Sequence, residues 1–212
     1  MSKILDLNSQ SNFDEIINLC AKLIQQDKVL ILPTDTIYGL CANAFSKKAV
    51  ERIFSIKKRP SNKPLIVLIS NLRQLSLLTN EIPKDAILLI EKFWPGPLTL
   101  IFKKHGEVFN DSKNESKTIA VRLINDDFLK QVIEKSNPIV STSANISGND
   151  FPLHFSDISK ELINIVDCIV FRKEKLLNHE STIVSVVKKP FKLIREGAIS
   201  FDEISKFVKI EK

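Results

Sequence analysis

The apolar and polar positions of the chain alternate between two periods. In the first segment apolar residues recur with the 3.6-residue spacing of an amphipathic helix, at Phe13, Ile16, Ile17, Cys20, Leu23 and Ile24. This helix is predicted to end near Asp27, and Ser11 and Asp14 have the spacing of an N-terminal capping box. The wholly apolar run Val29–Leu32 is typical of a strand that is buried on both faces.

The same alternation continues to the C-terminal part of the chain. Further helices are predicted from about Ser46, and at Lys84–Phe93, Phe128–Ile133 and Phe201–Val208. Strands are predicted at Leu65–Ile69, Leu98–Phe102, Thr118–Leu123, Pro138–Val140, Thr182–Val187 and Phe191–Ile194. Short spacing along the chain favours antiparallel pairing within two pairs of these strands. The pairs are Leu98–Phe102 with Thr118–Leu123, and Thr182–Val187 with Phe191–Ile194. We therefore predict an α/β fold: a single domain over residues 1–212, with a twisted, mixed parallel and antiparallel sheet flanked by helices.

Composition indicates an ordinary globular protein. Apolar residues make up 43% and charged residues 26% of the 212 residues. No apolar run approaches the ~18–20 residues of a membrane span, and the N-terminal segment lacks the apolar core of a signal peptide. The three cysteines are far apart and without CxxC spacing, which fits a reducing compartment and predicts neither a disulfide nor a zinc site. The expected location is the cytoplasm.

The excess positive charge is concentrated in one segment. Residues 47–63 contain seven basic residues and one acid, Glu51, and so carry the whole net charge of +6. One interpretation is a solvated helix face with the loop that follows it. The other is an anion site for phosphate or nucleic acid. Charge alone leaves both interpretations open.

Several chemistries are excluded by spacing. None of the five glycines forms a P-loop or a GxGxxG motif, so a nucleotide would have to be bound by side chains and ordinary turns. The three histidines have no HExxH spacing, and no metal ligands are predicted. No serine stands in a GxSxG nucleophile motif.

Three polar turns follow predicted strands: Pro33–Gly39, Thr142–Gly148 and the loop after Ile194. Ligand sites of α/β sheets gather at strand ends. A helix cap would explain any one hydroxyl of the second turn, but not the group of Ser141, Thr142, Ser143, Asn145 and Ser147. Hydroxyls, amides and cations with few acids suit a triphosphate together with a carboxylate-bearing small molecule.

These residues carry a resemblance to a known family. Lys57-x-Arg59, followed at a distance by Ser143-x-Asn145, resembles the KxR…SxN signature of the YrdC-like family. Four more segments resemble motifs of this family and occur along the chain in the family's order: Ile31–Leu40, Trp94–Thr99, Ala120–Arg122 and Ser181–Val184. The resemblance covers about residues 30–197 and is to the short, single-domain bacterial form. It implies an α/β twisted sheet with a basic concave face.

The resemblance also implies an activity. YrdC-like enzymes join L-threonine, bicarbonate or CO₂, and ATP into threonylcarbamoyl-AMP and release pyrophosphate. Mg²⁺ would accompany ATP as a substrate, and no tightly bound cofactor is expected. The implied threonine pocket consists of Thr34, Arg122, Ser141 and Ser181. The implied ATP-binding residues are Lys57, Arg59, Thr118, Ser143, Asn145 and Arg195, of which Lys57 and Arg59 would be catalytic.

The implied product would pass to a separate tRNA threonylcarbamoyl transferase complex, which makes N6-threonylcarbamoyladenosine beside the anticodon. A weak tRNA contact through residues 47–63 and no membrane partner are expected. Two alternatives stay open: an RNA-binding protein of the same fold without this activity, and an ATP-binding paralogue acting on another amine. Longer members commonly have Asn and His at the positions aligned with Lys63 and Leu68, so this chain departs from them there.

Overall fold

The computed structural model describes residues 2–8, 12–60, 63–109, 111, 113, 115–152, 154–173, 176–177 and 179–212. These residues form six α-helices: Phe13–Gln25 (α1), Lys47–Lys57 (α2), Lys84–Phe93 (α3), Asp127–Lys135 (α4), Lys160–Ile165 (α5) and Phe201–Ser205 (α6). They also form eleven strands: Lys3–Asp6 (β1), Leu30–Leu32 (β2), Gly39–Asn43 (β3), Ile66–Ile69 (β4), Leu98–Lys103 (β5), Thr118–Leu123 (β6), Ile139–Ser143 (β7), Cys168–Phe171 (β8), Thr182–Ser185 (β9), Phe191–Arg195 (β10) and Ile210–Glu211 (β11).

All eleven strands belong to one mixed sheet, in the order β1-β8-β2-β3-β7-β4-β6-β5-β9-β10-β11. The predicted antiparallel pairs are confirmed, since β5 pairs antiparallel with β6 and β9 with β10. Parallel pairs join β1 to β8, β4 to β6 and β5 to β9. The predicted mixed α/β fold is therefore confirmed.

The two faces of the sheet are covered by different helices. On β2, Leu30 and Leu32 pack in the cluster that contains the apolar residues of α1 and α4, whereas Ile31 packs in the cluster that contains those of α2 and α3. Successive side chains of a strand point to opposite faces, so α1 and α4 cover one face and α2 and α3 the other. Both faces of the sheet centre are thus buried, as the continuous apolar run of β2 predicts.

Some elements differ from the sequence-based predictions. β7 continues to Ser143, beyond the predicted end at Val140, because it has hydrogen-bonded partners on both sides, β3 and β4. β1, β3, β8 and α5 were not predicted, and α6 ends at Ser205 rather than near Val208. The proposed capping residue Ser11 lies outside the described residues. No helix in the described part of the chain has the length and apolarity that a bilayer span requires.

Candidate active site

An open cavity of about 690 Å³ lies on the sheet face that α1 and α4 cover. Leu68 of β4 belongs both to the cavity wall and to the apolar cluster of that face. The wall combines hydroxyls, an apolar floor and three arginines; its lining residues are Thr34, Thr36, Ile37, Gly39, Arg59, Pro64, Leu65, Ile66, Leu68, Arg122, Ser141, Thr142, Ser143, Glu180, Ser181, Ile183 and Arg195.

Strand β3 approaches the cavity closely because it begins with a glycine. A Cβ atom on Gly39 would lie 2.6 Å from Ser141 Oγ and 3.4 Å from Thr34 Cγ2. The first contact is shorter than packed atoms allow, so only glycine lets β3 pair with β7 while both hydroxyl side chains stay at the wall.

Arg122 stands on β6 beside Leu68 of β4 and is 4% exposed. Its Nη2 donates to Asp35 Oδ1 at 2.8 Å, and its Nη1 donates to Thr36 Oγ1 at 3.1 Å. Its buried Nε has no hydrogen-bond partner among the described residues. Asp35 also accepts the backbone N–H of Asn125 at 3.3 Å. The guanidinium is therefore fixed through its two Nη nitrogens, and its Nε is buried without an acceptor among the described residues.

The three hydroxyl residues of the predicted threonine pocket are buried around Arg122. Thr34 Oγ1 donates to the carbonyl of Ile37 at 2.7 Å, which fixes the turn after β2. Ser181 Oγ lies 2.8 Å from Thr99 Oγ1. Ser141 Oγ lies 3.5 Å from the Cys41 thiol, and burial raises the pKa of that thiol to about 12, so Cys41 stays protonated near neutral pH.

The cavity wall also carries Arg59 and Arg195. Arg195 Nη1 forms an ion pair with Glu180 Oε1 at 2.7 Å, and its Nε and Nη2 donate to the carbonyl of Ser181. Arg59 donates to the carbonyls of Lys63 and Pro64. Burial lowers the pKa of Arg59, and the charge of Arg195 lowers it further. Both guanidinium groups remain charged at neutral pH, so two cations share one cavity-lining carboxylate.

Lys57 and Arg59 diverge because Lys58 ends α2 in the left-handed conformation, with φ 50° and ψ 40°. Lys57 is 1% exposed, and its Nζ donates to the carbonyls of Ser143 and Asn145 at 2.5 and 2.8 Å and to Asn145 Oδ1 at 2.8 Å. Burial, and then the charge of Arg59, lower the pKa of Lys57 to about 7, whereas the three acceptors stabilise its ammonium form. Lys57 thus fastens α2 to the polar segment that begins at the end of β7.

Ser143 and Asn145 are joined to each other in the same cluster. Ser143 Oγ donates to Asn145 Oδ1 at 2.6 Å, and the Lys57 carbonyl accepts the N–H of Ser147 at 3.0 Å. The two parts of the predicted KxR…SxN signature are therefore in contact, although 86 residues separate Lys57 from Ser143.

Seven of the ten predicted site residues line the cavity: Thr34, Arg59, Arg122, Ser141, Ser143, Ser181 and Arg195. Lys57 and Asn145 lie behind the wall in the cluster just described. Thr118 begins β6, four residues before Arg122, and its side chain lies 3.3 Å from Ser116 Oγ. Sequence reasoning assigned no role to Asp35, Thr36 or Glu180. The position of Asp35 between two threonines of a polar turn was the signal available.

The basic segment 47–63 is divided between structural and cavity roles. Lys47 pairs with Glu51, Arg52 with Asp167 and Lys58 with Glu161. Arg59 lines the cavity, and Lys57 lies behind its wall against Ser143 and Asn145. Within the described residues no group of three histidines, cysteines or carboxylates is placed to hold a metal ion.

Sequence comparisons place the chain among known proteins. A family model described as telomere recombination, covering Sua5, YciO and YrdC, matches residues 22–197. The threonylcarbamoyl-AMP synthase of Pyrococcus abyssi is 37% identical over 193 residues, which are 91% of this chain and 57% of that protein. A putative threonylcarbamoyl-AMP synthase of Methanocaldococcus jannaschii is 31% identical over 96% of both chains. The chain therefore spans little more than half of the first relative and nearly all of the second.

Solved structures agree with the sequence comparisons. P. abyssi Sua5, crystallised with L-threonine, superposes with a TM-score of 0.90 at 34% identity, over 100% of this chain and 62% of that chain. Escherichia coli YciO has a TM-score of 0.84 at 24% identity, over 96% and 100% of the two chains, and supports the fold. The family model covers most of the chain and the fold matches over its whole length: this chain belongs to the Sua5/YciO/YrdC family.

Proposed function

We propose that this protein makes threonylcarbamoyl-AMP from L-threonine, bicarbonate or CO₂, and ATP, with release of pyrophosphate. The observation that carries the proposal is one cavity lined by two groups of charged side chains. Arg122 lies among buried hydroxyls, and Arg59 and Arg195 line the same cavity; we assign the first group to the amino acid and the second to the phosphates. A small amino acid and a nucleotide triphosphate would meet between them. The names of the P. abyssi and M. jannaschii relatives support the same reaction.

Binding of threonine would depend on hydrogen-bond geometry. Arg122 would clamp the carboxylate of threonine, because a guanidinium matches a carboxylate in two parallel hydrogen bonds. Thr34, Ser141 and Ser181 would surround the rest of the substrate with hydroxyls. The unprotonated amine nitrogen of threonine would attack the carbon of CO₂, form the N–C bond and lose a proton, which gives a carbamate.

The side chains assigned to the phosphates would stabilise negative charge on ATP during the reaction. A carbamate oxygen would attack the α-phosphorus of ATP in line, and the bond from that phosphorus to the pyrophosphate oxygen would break. Arg59 and Arg195 would balance the charge on the phosphates, and no nucleophilic side chain is required. Ser143 and Thr118 would contribute hydroxyls to the nucleotide, while Lys57 and Asn145 shape the segment that carries Ser143.

Mg²⁺ would enter with ATP and be held mainly by phosphate oxygens, because Glu180 is the one carboxylate among the described residues of the cavity wall. Bound there, it would supply further charge neutralisation. The product would pass to a tRNA-modifying transferase. A reducing cytoplasm suits the three buried, free cysteines.

The reaction can be tested by identifying its product. Purified protein is incubated with ATP, L-threonine and ¹³C-bicarbonate, and the nucleotides are analysed by mass spectrometry. We expect a threonine adduct of AMP that carries the ¹³C label, together with an equal amount of pyrophosphate. An adduct of another amine, or pyrophosphate release that does not require bicarbonate, would contradict the proposal.

A further inference from the structure

The Arg122–Asp35 ion pair is buried beside the cavity. The Arg122 side chain is 5% exposed and the Asp35 side chain 6%. Asp35 is not among the cavity-lining residues, whereas Arg122 is. Asp35 therefore faces the guanidinium from behind, on the side away from a ligand.

Asp35 connects two loops that end at the cavity. One of its oxygens accepts Arg122 Nη2, and the other accepts the backbone N–H of Asn125. The loop between β2 and β3 is thereby joined to the chain that leaves β6. Because a carboxylate accepts at both oxygens, one side chain orients Arg122 and fixes the loop beyond it.

Arg122 keeps donors for a ligand. A guanidinium has five N–H groups, and Asp35 and Thr36 accept one hydrogen bond each from its terminal nitrogens. The buried Nε has no partner among the described residues, and an unsatisfied buried donor costs free energy. Because Arg122 lines the cavity, its remaining N–H groups can receive an anion there.

We propose that Asp35 is a positioning residue for amino-acid recognition: it holds Arg122 so that the guanidinium receives the α-carboxylate of threonine. This assignment rests on the proposed function and adds to it a residue that does not itself contact the substrate. Asp35 also balances the charge of Arg122 while the cavity is empty, because a buried guanidinium without a counter-ion is strongly destabilising.

The test compares Asp35→Asn with Asp126→Asn. The asparagine side chain has one acceptor oxygen and one donor nitrogen, whereas the aspartate carboxylate has two acceptor oxygens. The asparagine therefore cannot accept hydrogen bonds from Arg122 with one side-chain atom and from the Asn125 N–H with the other. Asp126 is a matched control, because its side chain is 7% exposed and pairs with Arg172 outside the cavity wall. Asp35→Glu keeps the charge but moves the carboxylate by one methylene, so it tests position separately. Thermal unfolding confirms that each variant is folded.

Binding of L-threonine and of L-threoninamide is measured by calorimetry for each folded variant. We expect Asp35→Asn and Asp35→Glu to weaken threonine binding by roughly 10–100-fold, as disruption of a buried hydrogen bond of the binding group does. Threoninamide lacks the carboxylate, so its affinity should change by less than about 3-fold. Asp126→Asn should leave both affinities unchanged. With saturating threonine, turnover of Asp35→Asn should stay within about 3-fold of wild type, since uniform binding affects KM.

Three results would overturn the assignment. Equal or tighter threonine binding by Asp35→Asn would show that Asp35 only repels the ligand's carboxylate. Equal weakening of threonine and threoninamide would show a general structural defect. A wild-type protein that does not bind threonine would overturn the proposed function, and this assignment with it.

Discussion

At the part of the cavity assigned to threonine, the positive charge of Arg122 is balanced inside the protein by Asp35. At the part assigned to the phosphates, Arg59 and Arg195 share one carboxylate, Glu180, whose side chain is 35% exposed. The Arg122–Asp35 pair is almost completely buried, whereas the Arg195–Glu180 pair is reached by water. The first part is neutral and rigid before a ligand arrives, and the second carries excess charge.

This difference matches two kinds of recognition. A buried, hydrogen-bonded ion pair gives geometric selectivity, since it can be satisfied by few ligands. The charge of Arg195 lowers the pKa of the half-buried Arg59, and a polyanion that binds between the two cations relieves this repulsion. The two parts should therefore respond differently to changes in ligand and in sequence.

The largest expected effect concerns the amino-acid side chain. A pocket that hydrogen-bonds a substrate hydroxyl rejects an analogue that lacks it by about 10⁴–10⁵-fold, whereas a missing methyl group costs about 10–200-fold. Pyrophosphate release should therefore fall by more than about 10³-fold from threonine to valine, and far less from threonine to serine. Similar rates with valine and threonine would show that Thr34, Ser141 and Ser181 do not form the pocket.

At the part assigned to the phosphates, Arg59→Ala should reduce turnover by roughly 10²–10³-fold, as loss of a preorganised charge-stabilising group does. The control is Lys58→Ala, one residue earlier, because the Lys58 side chain is 70% exposed and contacts Glu161 at the surface. That change should alter the free energy of unfolding by less than ~0.5 kcal/mol and leave turnover intact. Equal effects of both substitutions would mean that the cluster acts only through its total charge.

Lys57→Met should act on stability first. It removes the donor from the carbonyls of Ser143 and Asn145, and each unsatisfied group costs roughly 1–3 kcal/mol. Urea denaturation measures the loss, and amide exchange should become faster in residues 143–147. Lys48→Met on the exposed side of α2 is the control and should change neither quantity. Unchanged exchange in Lys57→Met would show that Lys57 does not hold this segment.

A smaller effect follows from the pKa of Lys57, which burial lowers from its ordinary 10.5 to about 7 in the folded protein. Between these values the unfolded chain binds more protons than the folded one, so the free energy of unfolding should rise with pH from about 7 to 10.5. Lys57→Met should remove this contribution. Parallel pH profiles of the two proteins would show that the folded-state pKa is not lowered.

Sequence patterns predicted the local elements well. The helical period located α1, α2 and α3, because each has one apolar face against the sheet. β3 was not predicted, since Gly39–Asn43 is buried throughout and shows no polar–apolar alternation. The strand order was beyond sequence reasoning: β8 lies between β1 and β2 because of long-range pairing that no local pattern encodes.

The structure brings seven of the ten predicted site residues to one cavity, but the sequence did not predict the orientation of their side chains. Arg122 and Thr118 were placed on one strand face by alternation, and Arg122 lines the cavity. Lys57 lies on the buried face of α2, whereas the direction of Arg59 depends on the left-handed conformation of Lys58, which is uncommon for lysine and therefore was not predicted. Asp35 could be found only with the fold, since its partner Arg122 is 87 residues away.

The measurement that tests the account most directly is calorimetry of ATP binding with and without threonine and bicarbonate, and of threonine binding with and without ATP. Ligands that share one cavity should strengthen each other's binding by the same factor in both directions, because such coupling is reciprocal. Bulk RNA added at ~150 mM salt should displace little ATP. An ATP affinity that ignores threonine, together with tight RNA binding, would contradict the account and make residues 47–63 an RNA surface.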